Sequence, residues 1–418
     1  YEAGFEDQFT DDMAFAVRAF YKDIFAKSNI KPKDITSLRD IQKLPFTKTE
    51  DLRANYPFGM LAVPKEKVVR LHTSSGTTGK PKAIFFSKKD VNQAAELIAR
   101  CLIMTGVKKD DVLQNMMTYG LFTGALVMHY GAEKVGVLVI PAGPGNTKKQ
   151  ISLMQDFKTT TLHITPSYAL YLSSVMSNEG LNPLDFSLRR AYLGSEPYSE
   201  ETRKKIESFF NIDVYNSYGL SEMNGPGVAF ECTEKNGMHL WEDNFIMEII
   251  NPETGKTLPD GEKGELVLTT LCREAMPIIR YRTRDITMII PEKCRCGRTH
   301  RRITRIKGRT DDMLIVKGVN MYPVQIEKTL LSFPEVGTNF LIILDHKDYN
   351  DHMTVKVEVS SAMFTGDLKT LHNLKKAITE RLRSEILITP EVQLVEPDSL
   401  PKTEGKAVRV IDNRKQWG

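Results

Sequence analysis

Residues 71–87 read LHTSSGTTGKPKAIFFS, two apolar, β-type runs around a loop crowded with glycine, hydroxyls and lysine. A Walker A loop has two glycines separated by four residues, then Lys and Ser or Thr. Here Gly76 and Gly79 stand too close together and Pro81 follows Lys80, so this is a different loop. Its chemistry still suits phosphate. Ser74, Ser75, Thr77 and Thr78 offer hydroxyl donors, the two glycines let backbone N–H groups approach an anion, and Lys80 and Lys82 supply charge. The plainer alternative is a mobile Gly/Ser loop, against which so specific a string of donors weighs.

Working outward, VVRLH and KAIFF predict strands on either side of the loop, and Ser87 with Asp90 makes a capping-box pattern before VNQAAELIARCLI. DVLQN, VGVLVI, TLHIT, RRAYLG and DVYNS recur as strand candidates between helical patterns such as TKKQISLMQDF and SEETRKKIESFF. That spacing predicts a large α/β sheet. From about 228 to 290 the strands come closer together, with turns such as NPETG and PDGEKGE, which predicts an antiparallel or barrel-like subregion. After GRTDD at 308–312 the pattern is a shorter α+β one: FLIILD and TVKVEV as strands, a helix over about 366–385, and a final KAVRV. The expected class is α/β, with a large N-terminal α/β domain over 1–310 and a small, mobile α+β C-terminal domain over 311–418, divided near Asp311. No internal repeat is evident.

The 418 residues carry 41% hydrophobic and 26% charged side chains, an ordinary globular composition with room for more than one domain. Lys and Arg exceed Asp and Glu by 57 to 53, a net charge of +4, too weak a bias to predict a nucleic-acid partner. No apolar run approaches the roughly 18 residues a membrane span needs, and no leader pattern opens the chain. The expected location is cytoplasmic, and the start at Tyr1 rather than Met leaves room for a preceding piece.

Five cysteines are too few and too uneven for a disulfide framework. Cys232 and His239, with Cys294 and Cys296 of CRCG, supply three thiols and one imidazole, the ligand set of a closed structural Zn²⁺ site. The two pairs flank the antiparallel region, so a metal would tie its ends together. Two alternatives stand beside this: Cys232 and His239 simply buried, or CRCGRTHRR as a zinc ribbon for nucleic acid, which the unclustered charge elsewhere disfavours. Cys101 and Cys272 lie in apolar runs and are expected in the core. TYGLFTGAL puts Tyr119 and Phe122 beside Gly124 and Ala125 at the start of a predicted helix, the mixture of rings and small residues that a flat aromatic slot needs. Met223, Asn224, Gly225 and Pro226 are candidates for its facing wall, with plain core packing as the alternative for each.

The loop string resembles the phosphate-binding signature of the adenylate-forming superfamily, the acyl-CoA synthetases and their relatives. NSYGLSE at 216–222 resembles its aromatic-Gly-x-Thr-Glu motif, with Ser221 for the usual Thr, and YRTRD at 281–285 its Tyr-Arg-Thr-Gly-Asp motif, with Arg284 for the usual Gly. GRTDDMLIVKGVNMYPVQIE at 308–327 resembles the domain hinge, and LPKTEGKAVRV at 400–410 the C-terminal lysine motif. Within the superfamily, LPFTKTEDLRANYPFG, YGLFTG, NGPGVAFEC, WEDNF and EAMPIIRYRTRD resemble the phenylacetate–CoA ligases over nearly the whole chain.

The resemblance implies an AMP-forming acid–thiol ligase that uses ATP, Mg²⁺ and coenzyme A and takes an aryl acid, foremost phenylacetate. A benzoate, hydroxycinnamate or indoleacetate ligase is the same-class alternative, and a silent adenylate-binding homologue the different-class one. It implies that Ser74, Ser75, Gly76, Thr77, Thr78, Gly79 and Lys82 wrap the β- and γ-phosphates and that Glu222 holds Mg²⁺. Tyr218, with Asn216, Gly219 and Ser221 of its motif, flanks adenine, and Gly194, Ser195, Glu196 and Pro197 border the base. Asp285 accepts from the ribose hydroxyls, with Arg309 as a donor nearby. Lys406 serves adenylation, Gly318 lines the path of CoA, and Asp311 is the hinge between the two half-reactions. Relatives also suggest a homodimer.

Overall fold

The computed structural model describes residues 20–73, 81–317, 319–347, 350–360, 363, 368–401 and 408–414. The chain divides into two compact units: one of 1–143, 160–163 and 215–306, the other of 144–159, 164–214 and 307–418.

In the first unit the strands Val68–Thr73 and Ala83–Ser87 pair antiparallel, with Thr73 opposite Ala83. The chain then enters the helix Lys88–Met104 through the expected capping box. Ser87 Oγ accepts from Asp90 N at 3.2 Å and Asp90 Oδ2 from Ser87 N at 2.9 Å, which satisfies two helix-end donors reciprocally. Asp90 also accepts from the backbone N–H groups of Glu274 (2.7 Å) and Ala275 (2.9 Å), so a fully buried carboxylate pins a distant loop. Val112–Asn115 pairs parallel with Leu138–Ile140 and with residues 161–163, the crossover to Leu138 being the helix Thr123–Val135, closed by Gly136 at φ 90°. That left-handed stop favours glycine.

The antiparallel region expected from 228 to 290 is present. Its hydrogen-bonded order is Phe245–Ile250, Lys263–Thr270, Tyr281–Ile290, Arg302–Ile303, Met238–Leu240, Gly225–Glu231 and the 217–220 end of Asp213–Leu220. Most of these strands are buried on both faces, which explains their continuous apolar runs. Cys101 is buried as expected. Cys272 is a correction: it is half-buried in the loop after Lys263–Thr270, its thiol 3.6 Å from Asp243 O, because the strand that would have carried it inward ends at Thr270.

The second unit holds the helices Thr147–Asp156, Pro166–Asn178 and Glu200–Phe210, and a four-stranded sheet in the order Glu391–Val395, Asn350–Val359, Val336–Lys347, Val410–Asp412. The helix Leu368–Ile386 buries Leu374, Ile378, Leu382 and Ile386, a strict four-residue stripe, in one core with Ile342, Leu344, Val355 and Val357. Each such side chain contributes about 1.5–3 kcal/mol on burial. The α+β pattern expected beyond 312 is therefore present. Among the described residues no helix is long and apolar enough to cross a membrane.

Candidate active site

A tight reversal builds the first site in the first unit. Asp213–Leu220 passes through a single turn, Ser221–Met223, into Gly225–Glu231, with Asn224 (φ 74°) and Gly225 (φ 91°) in the left-handed region. The two limbs come so close that a Cβ on Gly219 would sit 1.7 Å from Gly225 O. Only glycine fits there, and the reversal drives Glu222 inward to 3% exposure.

Glu222 Oε1 takes the Lys82 ammonium and, at 3.0 Å, the Tyr281 hydroxyl, which also meets Thr49 Oγ1 at 2.9 Å. Burial alone raises this carboxyl. The Lys82 charge, with the hydrogen bonds from Lys82, the Glu222 backbone N–H and Tyr281, overcomes it and holds the group below the usual carboxylate range. Both side-chain contacts fall on Oε1. Beside it, Tyr218 OH donates to Asp285 Oδ2 at 2.5 Å, so the expected adenine and ribose residues meet directly. Arg284, where the resembled motif has Gly, lies at φ 66°. The usual glycine answers to that backbone, and here the Arg284 N–H to Glu265 Oε1 (3.1 Å) and the guanidinium to Glu50 (2.5 Å) hold the strained residue. Asn216 N–H donates to Glu231 Oε2 at 2.8 Å, and Ser221 is half-buried.

Two participants were missed in the sequence. Tyr281 stood inside the quoted YRTRD, where its leading position was the available signal. Arg273 carried none: it is buried, donates to Asn224 Oδ1 and to Phe85 O (2.7 Å), and its guanidinium carbon lies 4.2 Å from the Phe86 ring centre. Burial pushes that guanidinium down, against the pull of Asp90 and Glu222.

The candidate acyl-slot residues come together around the start of Thr123–Val135. Phe122 is its N-cap, 45% exposed, and Tyr119 is half-buried. Ala125 is buried, whereas a Cβ on Gly124 would meet nothing within 4 Å. Gly225 packs on this helix, a Cβ there reaching Thr123 Cγ2 at 2.9 Å. Of its neighbours, Met223 is fully buried, Asn224 is spent on Arg273 and Pro226 is half-buried.

In the second unit, Gly194 is buried, Ser195 sits at φ 71° and Glu196 Oε1 accepts from Ser167 N at 2.7 Å. Glu196, Pro197 and Asp311 line one cavity of about 540 Å³ with Tyr322 and Arg409. Arg309 makes a two-pronged pair with Asp311, at 2.9 and 3.1 Å. Ser74, Ser75, Gly76, Thr77, Thr78, Gly79, Lys80, Gly318 and Lys406 lie outside the described residues.

The four candidate metal ligands converge in the first unit, their ligand atoms all within 4.8 Å of one another. Cys232 Sγ is 3.7 Å from Cys294 Sγ, and Cys296 Sγ 3.3 Å from His239 Nε2. A tetrahedral ion with bonds of about 2.3 Å to sulfur and 2.0 Å to nitrogen needs edges of roughly 3.5–3.8 Å, close to these. His239 Nδ1 faces His300 O at 3.1 Å, so its proton sits there and Nε2 presents a lone pair to the thiols. Strand pairing makes the cluster: Arg302 lies opposite His239 and also opposite Ile290, which brings the 294–297 turn back over Met238–Leu240.

The AMP-binding enzyme family model matches residues 22–272, and the AMP-binding enzyme C-terminal domain model residues 318–414. The chain therefore belongs to the AMP-binding enzyme family. Within it, the chain is 43% identical over 411 residues to the phenylacetate-coenzyme A ligase of Thermus thermophilus, covering 95% of this chain and 92% of that protein. It is 42% identical over 400 residues to the phenylacetate-coenzyme A ligase of Escherichia coli, covering 95% and 91%. A crystal structure of 2-hydroxyisobutyryl-CoA ligase in the postadenylation state, in complex with R3-HIB-AMP, superposes with a TM-score of 0.93 at 26% identity, covering 99% of this chain and 90% of that one. The expected fold class and family stand, and with them the class of enzyme, an ATP-dependent acid–thiol ligase.

Proposed function

We propose that this enzyme joins phenylacetate to coenzyme A in two steps: carboxylate and ATP give phenylacetyl-adenylate and pyrophosphate, and the CoA thiol then displaces AMP. The observation that carries this reading is the buried, ionised Glu222 held by Lys82 and Tyr281, on the turn whose Gly225 packs against Thr123. A hard cation bridging phosphate oxygens needs such a carboxylate. Glu222 would hold Mg²⁺ through the oxygen that Lys82 and Tyr281 leave, while Lys82, with the hydroxyls and backbone of 74–79, takes the β- and γ-phosphates. Tyr218, with Asn216, Gly219 and Ser221, would flank adenine, and Gly194, Ser195, Glu196 and Pro197 would border it. Asp285 would turn from Tyr218 to the ribose, and Arg309 from Asp311.

Tyr119, Phe122, Gly124 and Ala125, faced by Gly225 and Pro226, make the aryl slot. Cys232, His239, Cys294 and Cys296 fit one structural Zn²⁺, which would brace the antiparallel strands without entering the chemistry. In a domain arrangement of 1–310 and 311–418, Asp311 is the pivot, Lys406 stabilises charge during adenylation and Gly318 clears the pantetheine path. A homodimer is the proposed assembly, on the analogy that led to the expectation.

Pyrophosphate release measured over a panel of acids, with and without CoA, tests the reading. Phenylacetate should give a higher kcat/KM than acetate or hexanoate, since a ring filling an apolar slot gains several kcal/mol at about 25 cal/mol per Å². Preference for a short aliphatic acid refutes it. Lys406→Ala should slow adenylate formation and spare CoA transfer to supplied adenylate, and Gly318→Leu the reverse. Equal loss in one half-reaction refutes the alternation.

A further inference from the structure

A continuous hydrogen-bond chain runs from a buried imidazole through Tyr119 to a surface carboxylate. Asn115 ends its strand directly opposite His163 of the neighbouring strand, whose Nδ1 lies 3.0 Å from Asn115 Oδ1. Asn115 Nδ2 donates to Tyr119 OH at 2.9 Å and to Ala125 O at 2.8 Å. Tyr119 OH lies 3.1 Å from His129 Nδ1, and His129 Nε2 3.0 Å from Glu133 Oε1.

Chemistry fixes the direction of every link. The Glu133 carboxylate oxygen accepts from His129 Nε2, and the tautomer that carries its ring proton there leaves Nδ1 as an acceptor. Tyr119 must then donate its hydroxyl proton to Nδ1. Burial raises the Tyr119 phenol to about 12, the Asn115 bond opposing and the Glu133 charge reinforcing it, so that proton stays in place at neutral pH. Both amide protons of Asn115 are spent on Tyr119 and Ala125, so its Oδ1 accepts, from His163 Nδ1 and from Met117 N–H at 3.3 Å. Met117 N–H and Ala125 O flank the 118–122 segment, so Asn115 clasps both ends of the loop that carries Tyr119.

His129 and Glu133 stand one turn apart on Thr123–Val135, the same helix whose first turn packs on Gly225. The His129 side chain is 19% exposed and that of Glu133 54%, so the chain is most open to solvent at its last link.

We infer that His129, oriented by Glu133, is a positioning residue that fixes Tyr119 in the acyl slot and thereby sets selectivity for the acid without touching it. The inference rests on the proposal that Tyr119 lines that slot. Its consequence is specific. The Tyr119 proton is committed to His129 and one oxygen lone pair to Asn115, so the residue offers substrate a ring rather than a free donor. A plain aryl ring is favoured over an acid whose ring bears an acceptor in need of that donor.

The test measures steady-state kinetics of pyrophosphate release for phenylacetate and hexanoate, together with melting temperature. His129→Leu should raise KM for phenylacetate about tenfold and narrow the preference over hexanoate, with kcat and KM for ATP within about twofold of the parent. His129→Asn, whose side-chain oxygen can stand in for Nδ1, should recover most of the lost selectivity. Tyr119→Phe should match His129→Leu, and the double variant should be no worse than either, since both break one link. If Tyr119→Ala leaves the KM for phenylacetate unchanged, the slot reading itself fails. If Tyr119→Ala raises it while His129→Leu does not, the slot stands and the positioning inference is overturned. Additive effects in the double variant, or loss of melting temperature in His129→Asn without any change in acid KM, likewise overturn it.

Discussion

Replacing Lys82 by methionine should move the acid limb of the adenylation pH profile upward, because that ammonium is the largest influence keeping Glu222 charged. The carboxyl is 3% exposed, and burial, the largest influence on it, favours the protonated form. At about 3 Å and an effective dielectric of about 20, Coulomb's law gives the pair roughly 5 kcal/mol, the first of the influences that hold the carboxylate charged against burial. Lys82 keeps 14% of its side chain in solvent, and water would enter the space the ammonium leaves, so only part of that stabilisation is expected to be lost. The sign follows. With lysine present the folded pKa is depressed, and activity that needs the carboxylate persists as pH falls. Without it, Glu222 takes up its proton at higher pH and the limb moves up. The assay is pyrophosphate release at saturating acid and Mg-ATP over about pH 5–9, normalised to each plateau because the loss of Lys82 also lowers the plateau. Tyr281→Phe, which removes only a neutral hydrogen bond worth about 1 kcal/mol, should shift the limb clearly less than Lys82→Met does. A Lys82→Met limb that coincides with the parent's, or a larger shift in Tyr281→Phe, refutes the electrostatic account of Glu222.

Elemental analysis of purified protein should find about one zinc per chain, and Cys294→Ser should lower melting temperature far more than the activity of the surviving protein; metal-free protein of normal stability removes the site. Gly219→Ala, whose Cβ would lie 1.7 Å from Gly225 O, should cost about 3 kcal/mol or more in urea unfolding, or abolish folding. Gly124→Ala, with open space around it, should be neutral or stabilising by up to about 1 kcal/mol, and a similar loss in both would show that the close approach is not the cause. Burial pushes His163 down to about 3 from its ordinary 6.5, so the unfolded chain binds a proton that the folded one refuses. The stability this neutral imidazole contributes is fully present above pH 6.5 and is lost towards pH 3, by about 1.4 kcal/mol per unit. His163→Gln should flatten that decline between about pH 6 and 5, and an unchanged slope would place the acid sensitivity elsewhere.

What the sequence determined by itself was the chemistry carried by short, contiguous strings. Ser87 and Asp90 cap a helix wherever that helix packs, because both partners lie within one turn. The stripe Leu374, Ile378, Leu382, Ile386 needs only the helical period. The glycines at 219 and 225 and the acid at 222 sit in one reversal, so their motif was legible as a unit. The ligand types of the metal cluster could likewise be read off.

Tertiary structure alone decided who meets whom across long separations. Lys82 was legible as a charge for phosphate, but its partnership with Glu222 bridges 140 positions and exists only because the Val68–Ser87 hairpin and the 219–225 reversal share one unit. Arg273 gave no signal, since a lone arginine in a loop is ordinarily solvated. Its burial follows from the space between Phe85, Phe86 and Asn224. Cys272 misled for the converse reason, an apolar run whose strand stops two residues short. The thiols of Cys232 and Cys294 lie 3.7 Å apart because strand register, not chain distance, sets which turns face each other. Local propensity acts over a few bonds, and burial and long-range pairing are properties of the packed chain, which is why contiguous motifs could be read from the sequence and the contacts between distant ones, such as Lys82 with Glu222, could not.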